Sequence, residues 1–265
     1  ANAVSTPSDL DPETIVLLVK TDINICTSKP DTNKNLAVFQ ENIISCGGAT
    51  NTSILAVCVK WNRTLSHWVD GPKMWNDKNF FNAFAVTTSL GVLFIDPFAS
   101  RSYLLKDINT DMEPGPRTKT RREGRCVTKA FGDSIIIIGG LNYIPEEVLD
   151  SVELYDNAMN YTADLPPLLT PRWSSSCSSV GSLIIVAAGF NGFIPLNSVE
   201  ILDLTSQKGW QKFPPLPFKF ADAVMINLRG KLVYIGGAQY NEWSVSYTHL
   251  RAHETSLHLV CRLLL

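Results

Sequence analysis

The sequence lacks long hydrophobic runs and an excess of charge of either sign. Its longest apolar stretches, such as residues 15–19, 135–138 and 183–188, fall far short of the roughly 20 residues that a membrane-spanning helix requires. The chain has 23 Lys and Arg against 25 Asp and Glu, so it has no basic excess for binding nucleic-acid phosphates. We therefore expect neither membrane insertion in this segment nor a nucleic-acid partner.

Motifs for metal, phosphate or redox chemistry are missing as well. The glycine pairs lie between strand-like segments, whereas a phosphate-binding loop leads into a helix. There is no Cys-x-x-Cys pair and no Asp-rich calcium loop, so zinc, thioredoxin-like and calcium sites are not predicted. His67 is the one histidine outside residues 244–265, and we interpret it as a packed or surface residue. We predict no catalytic residue, no metal and no cofactor.

Residues 244–265 differ from the preceding chain in composition and pattern. Segments 245–254 and 259–265 can be back-translated into two parts of a sequencing-library adapter, so this tail resembles translated adapter sequence. The alternative is a genuine helix, because His249 and His253 have the spacing of a metal-binding pair. We exclude the tail from the fold as non-native sequence.

The remaining chain repeats with a period of about 47 residues. Short apolar runs that end in small residues close at Gly48, Gly140, Gly189 and Gly237. The segment 91–96 fills the slot between the first two runs. Each run is short, aliphatic and bounded by Gly or a turn, which is typical of a buried strand. Another apolar strand precedes each run, as a hairpin requires.

Two further strands follow each run. The third alternates apolar and polar residues, as at 152–155 and 199–202. The fourth carries an aromatic residue, which is Trp68, Tyr161 or Trp210 in successive copies. Four short strands form a small sheet that cannot bury its own faces, and radial stacking of such sheets in a β-propeller solves that problem.

This pattern resembles the kelch repeat, whose blade ends its second strand in Gly-Gly and later carries Tyr and Trp. The resemblance covers residues 35–243, with departures at Ala188-Gly189, at Ile95-Asp96 and at Tyr161. It implies an all-β fold, an incomplete kelch-type β-propeller of about four to five four-stranded blades. Residues 1–34 are interpreted as part of a preceding blade or a linker. Unpaired edges of an incomplete ring would make the segment prone to aggregation.

Cysteines and glycosylation sequons indicate the cellular compartment in which the protein resides. Cys46 and Cys58 lie on successive strands and are candidates for a disulfide, with two buried thiols as the alternative. Cys126 and Cys177 occupy similar first-strand positions in successive repeats and are interpreted as core residues. Sequons begin at Asn51, Asn62 and Asn160. These features favour an extracellular or secreted protein, with a cytoplasmic location as the alternative.

The loops at one end of the sheets repeat an amide or a cation beside an aromatic residue. Aromatic residues and Arg are favoured at protein interfaces, and the alternative is that these aromatics seal the gaps between blades. The predicted partner-contacting residues are Asn142, Tyr143, Arg172, Trp173, Asn191, Phe193, Lys219, Phe220 and Tyr240.

One of these loops carries a basic run. Its members are Arg117, Lys119, Arg121, Arg122 and Arg125. We interpret it as a solvated loop, and the alternative is a patch that attracts an acidic partner.

The sequence as a whole favours a non-catalytic protein-interaction module whose protein partner it does not identify. One alternative is the substrate-recognition propeller of an intracellular ubiquitin-ligase adaptor, which resembles kelch proteins with an upstream dimerisation domain. The other is a fragment of an enzyme that resembles the copper enzyme galactose oxidase, whose His and Tyr ligands would have to lie in blades outside this segment.

Overall fold

The computed structural model describes residues 15–18, 35–40, 42–46, 58–62, 67–73, 84–96, 100–228 and 231–239. These residues form β-strands, turns and one short 3-10 turn, with no α-helix among them. Four consecutive segments each fold into a four-stranded antiparallel sheet with its strands in chain order. The prediction of an all-β fold built from small repeated sheets is confirmed. The described part of the chain contains no helix long and apolar enough to cross a membrane.

The strands of the first two sheets follow each other directly along the chain. The first sheet comprises β2 (Asn35–Phe39), β3 (Asn42–Cys46), β4 (Cys58–Asn62) and β5 (His67–Asp70). The second comprises β6 (Phe84–Thr88), β7 (Gly91–Ile95), β8 (Arg101–Leu105) and β9 (Glu113–Arg117). The second sheet is complete although its sequence lacks the Gly-Gly pair, because the apolar run of β7 still pairs on both sides.

The next two sheets each carry an additional small hairpin. The third sheet comprises β10 (Cys126–Lys129), β11 (Ile135–Ile138), β14 (Val152–Tyr155) and β15 (Tyr161–Leu165), with the hairpin β12 (Leu141–Tyr143) and β13 (Glu146–Val148). The fourth comprises β16 (Ser176–Val180), β17 (Leu183–Ala187), β20 (Val199–Asp203) and β21 (Gln211–Phe213), with the hairpin β18 (Phe190–Asn191) and β19 (Ile194–Pro195).

The fifth sheet is smaller and contains the one parallel pairing among the described strands. Its long antiparallel pair is β22 (Phe220–Leu228) and β23 (Lys231–Gln239), and β1 (Ile15–Leu18) pairs in parallel with β23. On β22, Met225 is buried, whereas the alternating Val224 and Ile226 are 57% and 38% exposed.

The cores lie between successive sheets, which explains why the second strands are apolar without alternation. Ile136 and Ile138 pack towards the fourth sheet, whereas Ile135 and Ile137 pack towards the second sheet. All four are fully buried, and each contributes roughly 1.5–3 kcal/mol through the apolar surface it removes from water. A strand buried on both faces therefore requires a continuous apolar run.

Two disulfides have both cysteines among the described residues. Cys46 and Cys58 are direct partners on β3 and β4. Cys126 on β10 and Cys177 on β16 are also bonded, across a Cα–Cα distance of 5.9 Å. Both cysteines are core residues, as expected, but the expectation did not include the bond between them. The bond forms because the first strands of successive sheets lie side by side and bring equivalent positions together.

Loss of the bond between Cys126 and Cys177 should lower the free energy of unfolding by about 4 kcal/mol, because it closes a long loop in the unfolded chain. The test is chemical denaturation of the full chain carrying Ser at both positions. The matched control replaces Cys46 and Cys58 by Ser, where the sequence separation is 12 rather than 51 and the expected loss is about 3 kcal/mol. A greater loss from the control pair would contradict the loop-closure explanation.

Candidate functional site

A buried arginine connects three parts of the third sheet. The Nη1 atom of Arg122 donates hydrogen bonds to the carbonyl oxygens of Gly139 and Ser151, at 2.9 and 3.0 Å. Its Nη2 atom pairs with the Glu153 carboxylate. Arg122 precedes the first strand, Gly139 follows the second, and Glu153 lies on the third, so one guanidinium group holds all three together.

The fourth sheet repeats this arrangement around Arg172. Its Nη1 atom donates to the carbonyl oxygens of Ala188 and Ser198, at 3.0 and 3.1 Å. Its Nη2 atom donates to Glu200 Oε1 at 2.5 Å. The Glu200 carboxylate also accepts hydrogen bonds from two backbone N–H groups in the loop before Arg172. Both charges are therefore satisfied in the interior.

Solvent reaches neither ion pair. The side chains of Arg122 and Arg172 are 0% exposed, and those of Glu153 and Glu200 are 1% exposed. Burial lowers the pKa of both guanidinium groups, and the charge of the facing carboxylate opposes that effect. The predicted position of Arg172 on a partner-contacting surface is wrong, because its donors are directed at carbonyl and carboxylate groups inside the sheet.

Arg125 is buried as well and connects the third sheet to the second. Its Nη2 atom donates to the carbonyl oxygen of Asp96 at 2.8 Å, and its guanidinium group lies 5.9 Å from the centre of the Phe84 ring. Burial and the nearby charge of Arg122 lower the pKa of Arg125 to about 10. The interpretation of the basic run as a solvated loop is therefore wrong for Arg122 and Arg125. The exposed members are Arg117, Lys119 and Arg121.

The glycine pair at the end of β11 permits close contact with the next sheet. Gly139 and Gly140 have φ angles of 57° and 110°, which strongly favour glycine. A Cβ atom on Gly139 would lie 2.4 Å from the carbonyl oxygen of Arg172. The backbone N–H of Gly140 donates to that same oxygen at 2.8 Å. The chain entering the fourth sheet thus rests directly on the glycine turn of the third.

Both small hairpins extend from this glycine end, and both expose apolar residues at their tips. The exposed residues are Tyr143 (55%), Ile144 (84%), Phe193 (93%) and Ile194 (65%). They occupy equivalent positions in neighbouring repeats. Large apolar side chains with such exposure gain nothing from the fold, so they are candidates for contact with another molecule.

Trp173 lies between the two hairpins. Its ring stacks on Phe190 with the ring centres 5.2 Å apart, and its indole N–H donates to the carbonyl oxygen of Gly192 at 2.9 Å. Gly124 also lies against this ring, because a Cβ atom there would be 3.0 Å from Trp173 Cε3. Trp173 is half-buried, and its contacts hold the second hairpin in the position from which Phe193 projects.

The neighbour of Gly124 joins this arrangement to the first hairpin. Glu123 forms an isolated β-bridge with Leu141, the first residue of β12. The backbone of Ser174 donates to the carbonyl oxygen of Gly124 at 2.6 Å. The segment that contains Trp173 therefore contacts the base of both hairpins, so the four exposed residues project from the same end of two neighbouring sheets. We call this region the hairpin surface.

The remaining predicted partner-contacting residues differ in exposure. Phe220 is fully buried against Tyr234, so its predicted surface position is wrong. Asn142, Asn191 and Lys219 are partly exposed, and Asn142 accepts a hydrogen bond from the backbone of residue 144 within its hairpin. Tyr240 lies outside the described residues. The exposed Ile144 and Ile194 were not predicted, although each directly follows a predicted aromatic residue in the sequence.

Two sequon asparagines lie at the opposite end of the sheets from the hairpin surface. Asn62 ends β4, and the exposed Asn160 lies in the turn between β14 and β15. Asn160 Nδ2 donates to the Asp156 carboxylate at 2.9 Å. Asn51 and the tail 244–265 lie outside the described residues.

Comparison with known proteins supports the fold. No protein-family model matches the chain. The chain is similar to a solved structure of YjhT, with 14% sequence identity and a TM-score of 0.66. The match covers 79% of this chain and 78% of that chain. At this level of identity the similarity shows that the two chains share an all-β fold.

Removing one member of a buried ion pair should destabilise the fold strongly. Replacing Arg172→Met leaves Glu200 charged and buried without its partner, and we expect a loss of about 3–5 kcal/mol in the free energy of unfolding. The combined variant Arg172→Met, Glu200→Leu should recover part of that loss, because no unpaired charge remains. Chemical denaturation measures all three proteins.

The control for this experiment is Arg121→Met, which removes an exposed guanidinium group. It should change the free energy of unfolding by no more than about 0.5 kcal/mol. Losses of similar size in Arg121→Met and Arg172→Met, or a combined variant that is no more stable than Arg172→Met, would show that the buried pair has no special role.

Proposed function

We propose that the chain forms kelch-like blades of a β-propeller and acts as a non-catalytic protein-binding module. Support for the propeller comes from four consecutive four-stranded sheets with hydrophobic cores between neighbours. Arg–Glu pairs recur at equivalent positions within two successive sheets, as expected for repeated structural units. In such a scaffold, the loops that connect the strands commonly carry the residues that bind other molecules.

The observation that supports binding most directly is the exposure of Phe193. It is 93% exposed, yet the hairpin beneath it is fixed by the stacking and the hydrogen bond of Trp173. A rigid support reduces the conformational entropy that is lost when a partner binds. Aromatic residues on such supports contribute most of the affinity in many protein interfaces.

Two features support an extracellular location for this module. Cross-strand and cross-sheet disulfides persist in oxidising compartments and are rare in the cytosol. The sequons at Asn62 and Asn160 lie at the end of the sheets away from the hairpin surface. Glycans at these positions would therefore leave the hairpin surface accessible.

The binding proposal is tested by truncating the exposed tips. Phe193→Ala and Ile144→Ala should leave the melting temperature unchanged, because neither side chain is packed. Each should weaken capture of a partner from the extracellular fluid of the source organism by about 30-fold, the effect of losing about 2 kcal/mol at an interface anchor.

The matched control is Phe131→Ala. Phe131 is 80% exposed in the turn between β10 and β11, at the end of the third sheet opposite the hairpins. It should alter neither melting nor capture. Equal capture by wild type and Phe193→Ala would contradict the proposed binding surface.

The secretory proposal makes a separate prediction about Asn160. Expression through the secretory pathway of a eukaryotic host should attach an N-linked glycan there, because the residue begins a sequon and is exposed in a turn. Mass spectrometry should show a decrease in mass when N-glycans are removed enzymatically, and the glycan at this position should be absent from Asn160→Gln. An unmodified Asn160 in secreted wild-type protein would count against the proposal.

A further inference from the structure

The first hairpin places negative charge directly beside its exposed apolar tip. Glu146 and Glu147 begin β13, immediately after Ile144 and Pro145. Both carboxylates are exposed. Within the described part of the chain, neither forms an ion pair. Their charge is therefore presented to solvent next to Ile144.

A third carboxylate lies on the other side of the tip. Glu123 forms a β-bridge with Leu141, so it lies on the side of β12 away from β13. Interaction with the Glu123 carboxylate raises the pKa of Tyr143, and burial and the charge of Glu146 act in the same direction. Tyr143 therefore lies between two carboxylate-bearing residues, Glu123 beyond one edge of β12 and its strand partner Glu146 on the other.

Most cations in the adjoining loop interact with other groups and do not pair with these carboxylates. Arg122 and Arg125 are buried and directed into the interior. Lys119 forms an ion pair with Asp164 at 2.6 Å. Arg121 is exposed and is the nearest such cation along the chain, two residues before Glu123. The first hairpin thus keeps a local excess of negative charge.

The second hairpin adds apolar area without charge. Its sequence from Phe190 to Asn197 contains no charged residue. Phe193 and Ile194 are both more than half exposed. The hairpin surface is therefore apolar across two tips and bordered by carboxylates at one of them.

We propose, on the basis of the binding function above, that the hairpin surface takes a protein segment whose apolar side chains are accompanied by Lys or Arg. Aliphatic or aromatic residues of that segment pack against the two tips, and its cations face the carboxylates around Tyr143. Charge complementarity of this kind selects partners and orients them. An anionic lipid surface fits less well, because the same carboxylates would repel it.

The experiment uses two pools of fluorescently labelled peptides with identical apolar positions. One pool has Lys and Arg at the remaining positions, and the other has Asp and Glu. Fluorescence anisotropy with the full chain should show that the cationic pool binds roughly fivefold or more tightly at low salt. The preference should decrease as salt is raised, because exposed charges are screened.

Variants separate the charge preference from the binding surface. Glu146→Gln with Glu147→Gln should remove most of the preference without changing the melting temperature, whereas Phe193→Ala should abolish binding of both pools. Phe131→Ala is again the matched control and should behave as wild type. Arg121→Gln should increase the preference, since it removes the neighbouring exposed cation.

Each outcome has a distinct meaning. Equal binding of the two pools, lost in Phe193→Ala, overturns the charge preference and leaves the proposed binding surface intact. Binding that survives Phe193→Ala, or no binding of either pool, overturns the peptide proposal, and the capture experiment then decides the binding function independently. Tighter binding to phosphatidylserine vesicles than to either pool, lost in Phe193→Ala, assigns the surface to lipid instead.

Discussion

The buried guanidinium group before the first strand is the contact on which the geometry of a sheet depends. Arg172 donates to the carbonyl oxygens of Ala188, at the end of β17, and of Ser198, just before β20, and Glu200 neutralises its charge. A buried charge without such partners costs several kcal/mol. The segment that carries Arg172 and leads into the first strand is therefore held in one position relative to the second and third strands. The same geometry around Arg122 gives the third sheet the same entry.

Fixed entry points have consequences for neighbouring sheets. The carbonyl oxygen of Arg172 accepts a hydrogen bond from Gly140 of the preceding sheet, so the ion pair of one sheet and the glycine turn of another are positioned together. Isoleucines on both faces of β11 then pack against two neighbours at once. The bond between Cys126 and Cys177 reinforces this stacking. Close-packed protein interiors resist deformation, which favours a rigid scaffold.

The contacts at the glycine-turn end of the sheets hold the two hairpins in place, so their apolar tips stay exposed and do not fold back onto the sheets. Trp173 uses its ring and its indole N–H to hold the second hairpin, and Glu123 uses its backbone to hold the first. The sequence pattern of an amide or cation beside an aromatic identified this region, and it included Tyr143 and Phe193. It did not distinguish Phe193, which projects into solvent from a hairpin turn, from Phe220, which begins β22 and is buried against Tyr234, because only the tertiary structure shows which aromatic has a packing partner.

The sequence by itself determined the strands and their repetition, since a short aliphatic run such as 135–138 bounded by glycine has few alternatives to a strand buried on both faces. Only the tertiary structure decided which polar residues face inward. Arg121 and Arg122 are adjacent and chemically identical, yet one is exposed and the other meets Glu153 in the interior. The difference arises because the environment of a loop side chain depends on the strand across the sheet, which lies many residues away in the chain.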